Sequence, residues 1–156
     1  MESEVNRGTT FTLAVPCASE TPAPPPAQSA ALPRRAARVL LVDDEPQVLS
    51  ALTELLQAAG HEVSAAAGGA AALKIYMPGR YDVVMTNVGM AGMNGWEVTE
   101  RVRALDARVP IVFITGWGLR EEERARLAAL RVQRCLFKPV RPDELDAAVQ
   151  AAVASV

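Results

Sequence analysis

The sequence contains only two cysteines and one histidine, and its net charge is only −2 over 156 residues. Cys17 lies in a proline-rich stretch and Cys135 in an expected strand, so the pair does not form the spaced pattern of a disulfide-stabilised secreted domain. We therefore predict a reduced, cytoplasmic protein. The near-neutral charge, with basic residues spread along the chain, argues against nucleic acid or an anionic membrane surface as a partner.

Long hydrophobic runs are also missing, since no apolar stretch approaches the roughly 18 residues that a membrane-spanning helix needs. A secretory signal is excluded for a different reason. Glu2 and Glu4 occupy the positions that are basic in such signals, and the apolar stretch Phe11–Val15 is too short. We expect a soluble chain with no membrane partner.

Residues 1–37 have the composition of a tail. They are rich in proline, alanine, serine and threonine and show neither a helical nor a strand period, which predicts a disordered segment. From residue 38 to about 154 the pattern changes to one domain. Half of the whole chain is hydrophobic, enough to form a single core.

Strands and helices alternate in this domain. Short runs between turn signals predict strands at Val39–Val42, His61–Ala65, Asp82–Thr86, Pro110–Ile114 and Arg134–Phe137, and the third of them is rich in β-branched residues. Helical spacing and the punctuating prolines and glycines predict helices at Pro46–Ala59, Ala70–Met77, Trp96–Leu105 and Leu119–Leu130, with a last helix from Pro142. This alternation is typical of an α/β protein whose parallel sheet is covered on both faces. We predict a flavodoxin-like, doubly wound, five-stranded parallel sheet with strand order 2-1-3-4-5.

Polar residues follow four of the expected strands where each one ends. In the flavodoxin-like order the carboxyl ends of the strands meet at one rim, where ligands bind in open parallel sheets. An acidic pair there suits a hard cation such as Mg²⁺, and a hydroxyl and an ammonium opposite it suit a phosphoryl group. Taken singly, these residues are more often helix caps, turns or solvated loops. Their common placement favours a site made of Asp43, Asp44, Asn87, Thr115 and Lys138.

The domain resembles the receiver domain of two-component response regulators. The resemblance rests on VLLVDDEP, DVVMTNVGMAGMNGWE, IVFITGWG and FKPV, which stand in that family's order and spacing. It implies that Asp44 binds Mg²⁺ directly, Asp43 largely through water, and the carbonyl of Gly89 completes the metal site. It also implies that Thr115 and Lys138 contact the phosphoryl group, and that the Lys138–Pro139 peptide bond is cis.

The sequence departs from this family at three positions. The family's phosphoacceptor is an aspartate, whereas the aligned residue is Asn87, whose neutral amide oxygen is not a usable nucleophile toward phosphorus. The usual loop proline is replaced by Ala91, and the usual aromatic switch residue by Cys135. Because Asn87 removes one of three crowded carboxylates, we also expect weakened Mg²⁺ binding.

The leading hypothesis is a receiver protein of a phosphorelay that is not phosphorylated at the usual position and acts by protein contact. A sensor histidine kinase or another phosphorelay protein would be its upstream partner. Nothing follows the last predicted helix, so we expect no output domain. Signalling would then pass to a protein target through the fourth helix, fifth strand and fifth helix, the partner surface that the resemblance implies.

Two alternatives stay open from the sequence. The natural residue at position 87 could be aspartate, or another acid such as Asp44 could accept phosphate. A magnesium-dependent phosphate-processing enzyme is less favoured, because the rim offers no obvious nucleophile or general base and the short loops contain no substrate-binding insertion. His61 is interpreted as an exposed residue at a strand edge, without a catalytic role.

Overall fold

The computed structural model describes residues 2–4, 8–10, 35–116, 118 and 120–155. Near the N-terminus, β1 (Glu2–Glu4) and β2 (Gly8–Thr10) pair as antiparallel strands. The sequence pattern did not predict this short ladder. Residues 11–34 of the expected tail lie outside the described residues.

Five strand–helix units make up the domain. Proline opens both the first and the last of its helices, where the missing N–H costs no helical hydrogen bond. The strands are β3 (Arg38–Asp43), β4 (Glu62–Ala67), β5 (Val83–Asn87), β6 (Ile111–Thr115) and β7 (Arg134–Phe137). The helices are α1 (Pro46–Ala58), α2 (Gly69–Ile75), α3 (Gly95–Leu105), α4 (Glu121–Ala129) and α5 (Pro142–Ala154).

All five strands are parallel, in the order β4-β3-β5-β6-β7. This is the predicted order 2-1-3-4-5, so the flavodoxin-like topology is confirmed. The strand order reverses between β3 and β5, which places a crevice at their carboxyl ends. Asn87 is paired with Ile114, and Thr115 with Phe137, so these strands end at nearly the same level.

The strands are buried on both faces because successive side chains point to opposite sides of the sheet. Leu41, Met85 and Ile114 lie on the face covered by α1 and α5. Leu40, Val84 and Phe113 lie on the face covered by α2 and α3. A hydrophobic core therefore packs against each face of the sheet, and these two cores fix the strand ends that carry the site.

Three local expectations are revised or limited by the structure. The prediction that His61 is exposed is wrong: only 5% of it is exposed. Burial is tolerated because Ala37 N–H donates to Nδ1 and Nε2 lies 3.2 Å from Asp146 Oδ1, which satisfies both ring nitrogens.

The second helix ends at Ile75 rather than at Met77, since Tyr76 is already extended ahead of the proline turn. Leu119, the expected start of the fourth helix, lies outside the described residues.

Candidate functional site

The structure brings the predicted site residues together at the carboxyl edge of the sheet. Asp43 ends β3, Asn87 ends β5 and Thr115 ends β6, while Lys138 follows β7. The Lys138 Nζ lies 2.8 Å from Asp43 Oδ2, and the Asn87 Nδ2 lies 3.5 Å from Asp43 Oδ1. Thr115 is buried beside them, and its carbonyl accepts a hydrogen bond from the backbone N–H of Lys138.

Asp43 is the buried centre of the site, with only 1% of the residue exposed. A carboxylate so deeply buried needs compensating donors. Besides Lys138 and Asn87, the backbone N–H of Glu45 donates to Oδ1 at 2.9 Å. Both oxygens of Asp43 are therefore engaged by groups of the protein itself.

Asp44, the second acid, faces the loop after β5. Its Oδ2 accepts a hydrogen bond from the backbone N–H of Ala91 at 2.8 Å. Unlike Asp43, it is partly exposed to solvent. Asp44 thereby holds the loop against the start of α1 while presenting an acidic oxygen at the rim.

The side-chain amide of Asn87 lies between two other site groups. Its Nδ2 donates to Gly89 O at 3.1 Å and, more weakly, to Asp43 Oδ1 at 3.5 Å. The reverse orientation would place the amide oxygen against two acceptors with no hydrogen between them, which is electrostatically unfavourable. The hydrogen-bond pattern therefore fixes the nitrogen on the side of Asp43 and Gly89.

Gly95 sets the position of the loop that carries this amide. A Cβ at Gly95 would lie 2.3 Å from the backbone oxygen of Asn87, so no side chain fits between the start of α3 and the end of β5. Asn94 and Glu97 form a capping box that fixes the same helix end. The glycine pattern predicts a turn here and, through the resemblance, a metal-binding carbonyl at Gly89, but not the close approach at Gly95. The Ala91 N–H donor is not predicted either, because a backbone donor has no residue-type signature.

The donor set suits a hard cation. Asp43, Asp44 and the Gly89 carbonyl offer oxygens of the kind that Mg²⁺ prefers, and Asp43 Oδ1 and Gly89 O converge on one point, the Asn87 nitrogen. Within the described part of the chain no group of three or more His, Cys, Asp and Glu side chains is placed to hold a metal. The residues present therefore fit the chemistry of a Mg²⁺ site that has two carboxylates.

Two further features lie on or next to β7. The Lys138–Pro139 peptide bond is cis, as expected. Cys135 is half-buried, and burial, assisted by the charge of Glu123, raises the pKa of its thiol to about 11. The thiol therefore stays protonated near neutral pH, in keeping with a packing role.

The fold and the acid-lined rim together define a receiver-type domain of two-component signalling. The family model for the response regulator receiver domain matches residues 39–150, and the chain belongs to this family. No helix within the described ranges is both long enough and apolar enough to cross a bilayer.

The relatives are sensor proteins and single receiver domains. The chain is 36% identical over 141 residues to the virulence sensor protein BvgS of Bordetella pertussis, covering 85% of this chain and 11% of BvgS. It is similar to the chemotaxis protein CheY4 of Vibrio cholerae (TM-score 0.70, 32% identity, 76% of this chain and 99% of that one). It is also similar to the receiver domain of sensor histidine kinase PA1611 of Pseudomonas aeruginosa (TM-score 0.68, 25% identity, 77% and 99%), in which a magnesium ion is coordinated in the active site cleft.

Proposed function

We propose that this receiver domain is not phosphorylated at position 87 and acts in a phosphorelay by protein contact. The observation that carries the proposal is the side chain at the end of β5, a neutral amide whose nitrogen faces Asp43 and Gly89. Acyl phosphate formation needs a carboxylate oxygen as the nucleophile. An amide oxygen carries no such charge and yields no stable phosphorylated product.

The surroundings of Asn87 support the same proposal. Lys138, which would contact a phosphoryl group, is bound to Asp43 at 2.8 Å and lies 3.7 Å from Glu45 Oε1. Its charge is thus already compensated by carboxylates of the chain. Thr115 is buried at the end of β6 and would supply the hydroxyl for the same phosphoryl position. The machinery around the acceptor is retained while the acceptor itself is replaced.

Mg²⁺ would be held by Asp43, Asp44 and the carbonyl of Gly89, and it would neutralise negative charge brought to the rim. Its binding is weakened relative to a site with three carboxylates, because one attractive charge is missing. We propose a signalling role without catalytic turnover. We also propose a cytoplasmic location, with neither nucleic acid nor membrane as a partner.

The proposed contact surface consists of α4, β7 and α5. Phe137, the last residue of the edge strand β7, is 52% exposed and offers an apolar surface to a partner. An open cavity of about 670 Å³ adjoins it, lined by residues that include Cys135, Pro139 and Arg141. We propose that a protein target docks here. The upstream partner would be a sensor histidine kinase or another phosphorelay protein, and the similar receiver domain of PA1611 belongs by name to a sensor histidine kinase.

Intact-protein mass spectrometry tests this function. The protein, Asn87→Asp and Asn87→Asp/Asp44→Asn are incubated with acetyl phosphate and Mg²⁺. We expect the added mass of one phosphoryl group in Asn87→Asp only, since Asp44 is needed there to hold the cation. A phosphoryl mass on the unaltered protein would overturn the proposal. If that mass appeared, peptide mapping would locate the acceptor, because Asp44→Asn also removes a cation ligand and so does not identify it.

A further inference from the structure

Each acid of the rim receives a hydrogen bond from a group that the receiver resemblance does not expect at its position. Asp43 Oδ1 accepts from the Asn87 side chain at 3.5 Å, where the family has an aspartate, which cannot donate when ionised. Asp44 Oδ2 accepts from the Ala91 backbone at 2.8 Å, where the family has a proline, which has no N–H. Both departures thus add a hydrogen-bond donor facing the acid pair.

The Asn87 amide also satisfies the third metal-ligand candidate. Its Nδ2 donates to the carbonyl of Gly89 at 3.1 Å, so one nitrogen joins two of the three oxygens that would bind a cation. Among the described residues no buried side-chain nitrogen or oxygen lacks a hydrogen-bond partner. Both oxygens of Asp43, Oδ2 of Asp44 and the Gly89 carbonyl therefore already accept hydrogen bonds from the protein.

We propose that the Asn87 side-chain amide and the Ala91 N–H substitute for the divalent cation. They donate hydrogen bonds to Asp43 and Asp44 when no metal is bound. Mg²⁺ then binds only when it displaces these donors. For Asn87 this means turning the amide so that its oxygen, instead of its nitrogen, faces Asp43 and Gly89. The inference rests on the proposed function only in the choice of Mg²⁺ as the competing ion.

If the Asn87 amide competes with Mg²⁺ for the same oxygens, removing it should raise the Mg²⁺ affinity. Counting charges or ligands leads to the opposite expectation. Asn87→Ala leaves the net charge of the site unchanged and removes a potential oxygen ligand, so ligand counting predicts weaker Mg²⁺ binding. Removal of a competing donor predicts tighter binding instead. We expect the association constant to rise about fivefold, the equivalent of one net hydrogen bond of about 1 kcal/mol.

Ala91 offers an independent test of the second donor. Ala91→Pro removes the N–H that faces Asp44 and also fixes φ at that position, whereas Ala91→Gly keeps the N–H while deleting the methyl group. We expect Ala91→Pro to bind Mg²⁺ about threefold to fivefold more tightly and Ala91→Gly to match the unaltered protein. Combining Ala91→Pro with Asn87→Ala should increase affinity further, because the donors act on different carboxylates.

The experiment is isothermal titration of the full chain with MgCl₂ after removal of metal with EDTA and dialysis. The unaltered protein, Asn87→Ala, Ala91→Pro and Ala91→Gly are compared, and circular dichroism establishes that each is folded. Tighter Mg²⁺ binding by Asn87→Ala than by the unaltered protein supports the inference. Measurable binding by Asn87→Ala alone supports it as well. Equal or weaker binding by Asn87→Ala, or no binding by either protein, overturns it.

A second measurement needs no variant to bind the ion. The side-chain NH₂ signals of Asn87 are identified by their loss in the ¹⁵N spectrum of Asn87→Ala. We expect Mg²⁺ to shift this pair more than the NH₂ pair of Asn94. Unchanged Asn87 signals, while backbone signals of Asp43 and Gly89 move, would show that the amide does not turn. The phosphoryl-mass experiment is independent of both results, so the inference and the proposed function fail separately.

Discussion

Lys138 and Asp43 form an ion pair with Nζ 2.8 Å from Oδ2, although β5 and β6 separate their strands in the sheet. Neighbouring strands lie about 4.8 Å apart, so β3 and β7 are three such spacings apart, and the contact is made because Lys138 lies in the loop beyond the end of β7. Asp43 is 1% exposed, and the side chain of Lys138 is 20% exposed. The pair therefore ties the two sides of the rim together through a largely buried contact.

Replacing Lys138 should destabilise the domain. Lys138→Met leaves the buried carboxylate of Asp43 without its cation, and we expect the free energy of unfolding to fall by about 2–3 kcal/mol. Urea denaturation followed by circular dichroism measures this change. The matched control is Lys74→Met, the same substitution on the exposed side of α2, which should change stability by less than about 0.5 kcal/mol. Equal losses in both variants would contradict the buried-pair interpretation.

Restoring a carboxylate at position 87 should have opposite effects on metal-free stability and on Mg²⁺ affinity. In Asn87→Asp an oxygen would stand near 3.5 Å from Asp43 Oδ1, where the amide nitrogen now lies. Two charges about 4 Å apart repel by about 4 kcal/mol at an effective dielectric near 20, so we expect a melting temperature several degrees lower in EDTA. Scanning calorimetry with and without Mg²⁺ measures both effects. An unchanged melting temperature and affinity would refute the charge argument.

Gly95 should not tolerate a methyl group. In Gly95→Ala the new Cβ would meet the Asn87 backbone oxygen at 2.3 Å and the Val88 Cα at 3.0 Å, and neither backbone atom can move without shifting the loop. We expect a loss of about 2–3 kcal/mol in denaturant unfolding. Gly89→Ala is the control, because nothing lies within 4 Å of a Cβ there. Comparable stability of the two variants would contradict this account.

Asp106 should contribute to the acid sensitivity of the fold. Burial by itself raises the pKa of its carboxyl, but hydrogen bonds from the N–H groups of Arg108 and Val109 and from the Tyr76 hydroxyl outweigh burial, so the pKa is lowered. The Asp106 carboxyl is therefore protonated at a higher pH in the unfolded chain than in the folded protein. Its contribution to the free energy of unfolding is present above about pH 4 and is lost as the pH falls below that value.

Asp106→Asn removes this titration while keeping an oxygen for the two backbone donors. We therefore expect the variant to lose less stability than the unaltered protein between about pH 5 and pH 3. Urea unfolding at stepped pH values gives the two curves. Parallel curves would show that Asp106 does not carry the effect.

Much of the fold follows from local patterns. The strands at Val39, Val83 and Ile111 are short runs of β-branched residues bounded by glycine, proline or acids, and that pattern is sufficient to predict them. The proline at the start of α1 and of α5 likewise sets those helix ends. The parallel α/β sheet was predicted because alternating strands and helices allow few arrangements, whereas the order 2-1-3-4-5 was expected from the flavodoxin-like order that the receiver family shares.

Other features depend on contacts between distant residues. His61 looks like an exposed polar residue beside a strand, yet Ala37 and Asp146 satisfy its two nitrogens and permit its burial. No local pattern contains those partners, since they lie 24 and 85 residues away. The ladder between β1 and β2 was missed because its strands are only three residues each.

The sequence by itself determined which residues reach the rim. The residue types at the strand ends can be read along the chain, and the carboxyl ends of parallel strands meet at one edge of the sheet. Only the tertiary structure decided how those residues are satisfied. The direction of the Asn87 amide, the Ala91 N–H on Asp44 and the reach of Lys138 to Asp43 all depend on distances between separate strands and loops. Hydrogen bonds weaken steeply with distance and angle, and that geometry exists only once the strands have packed.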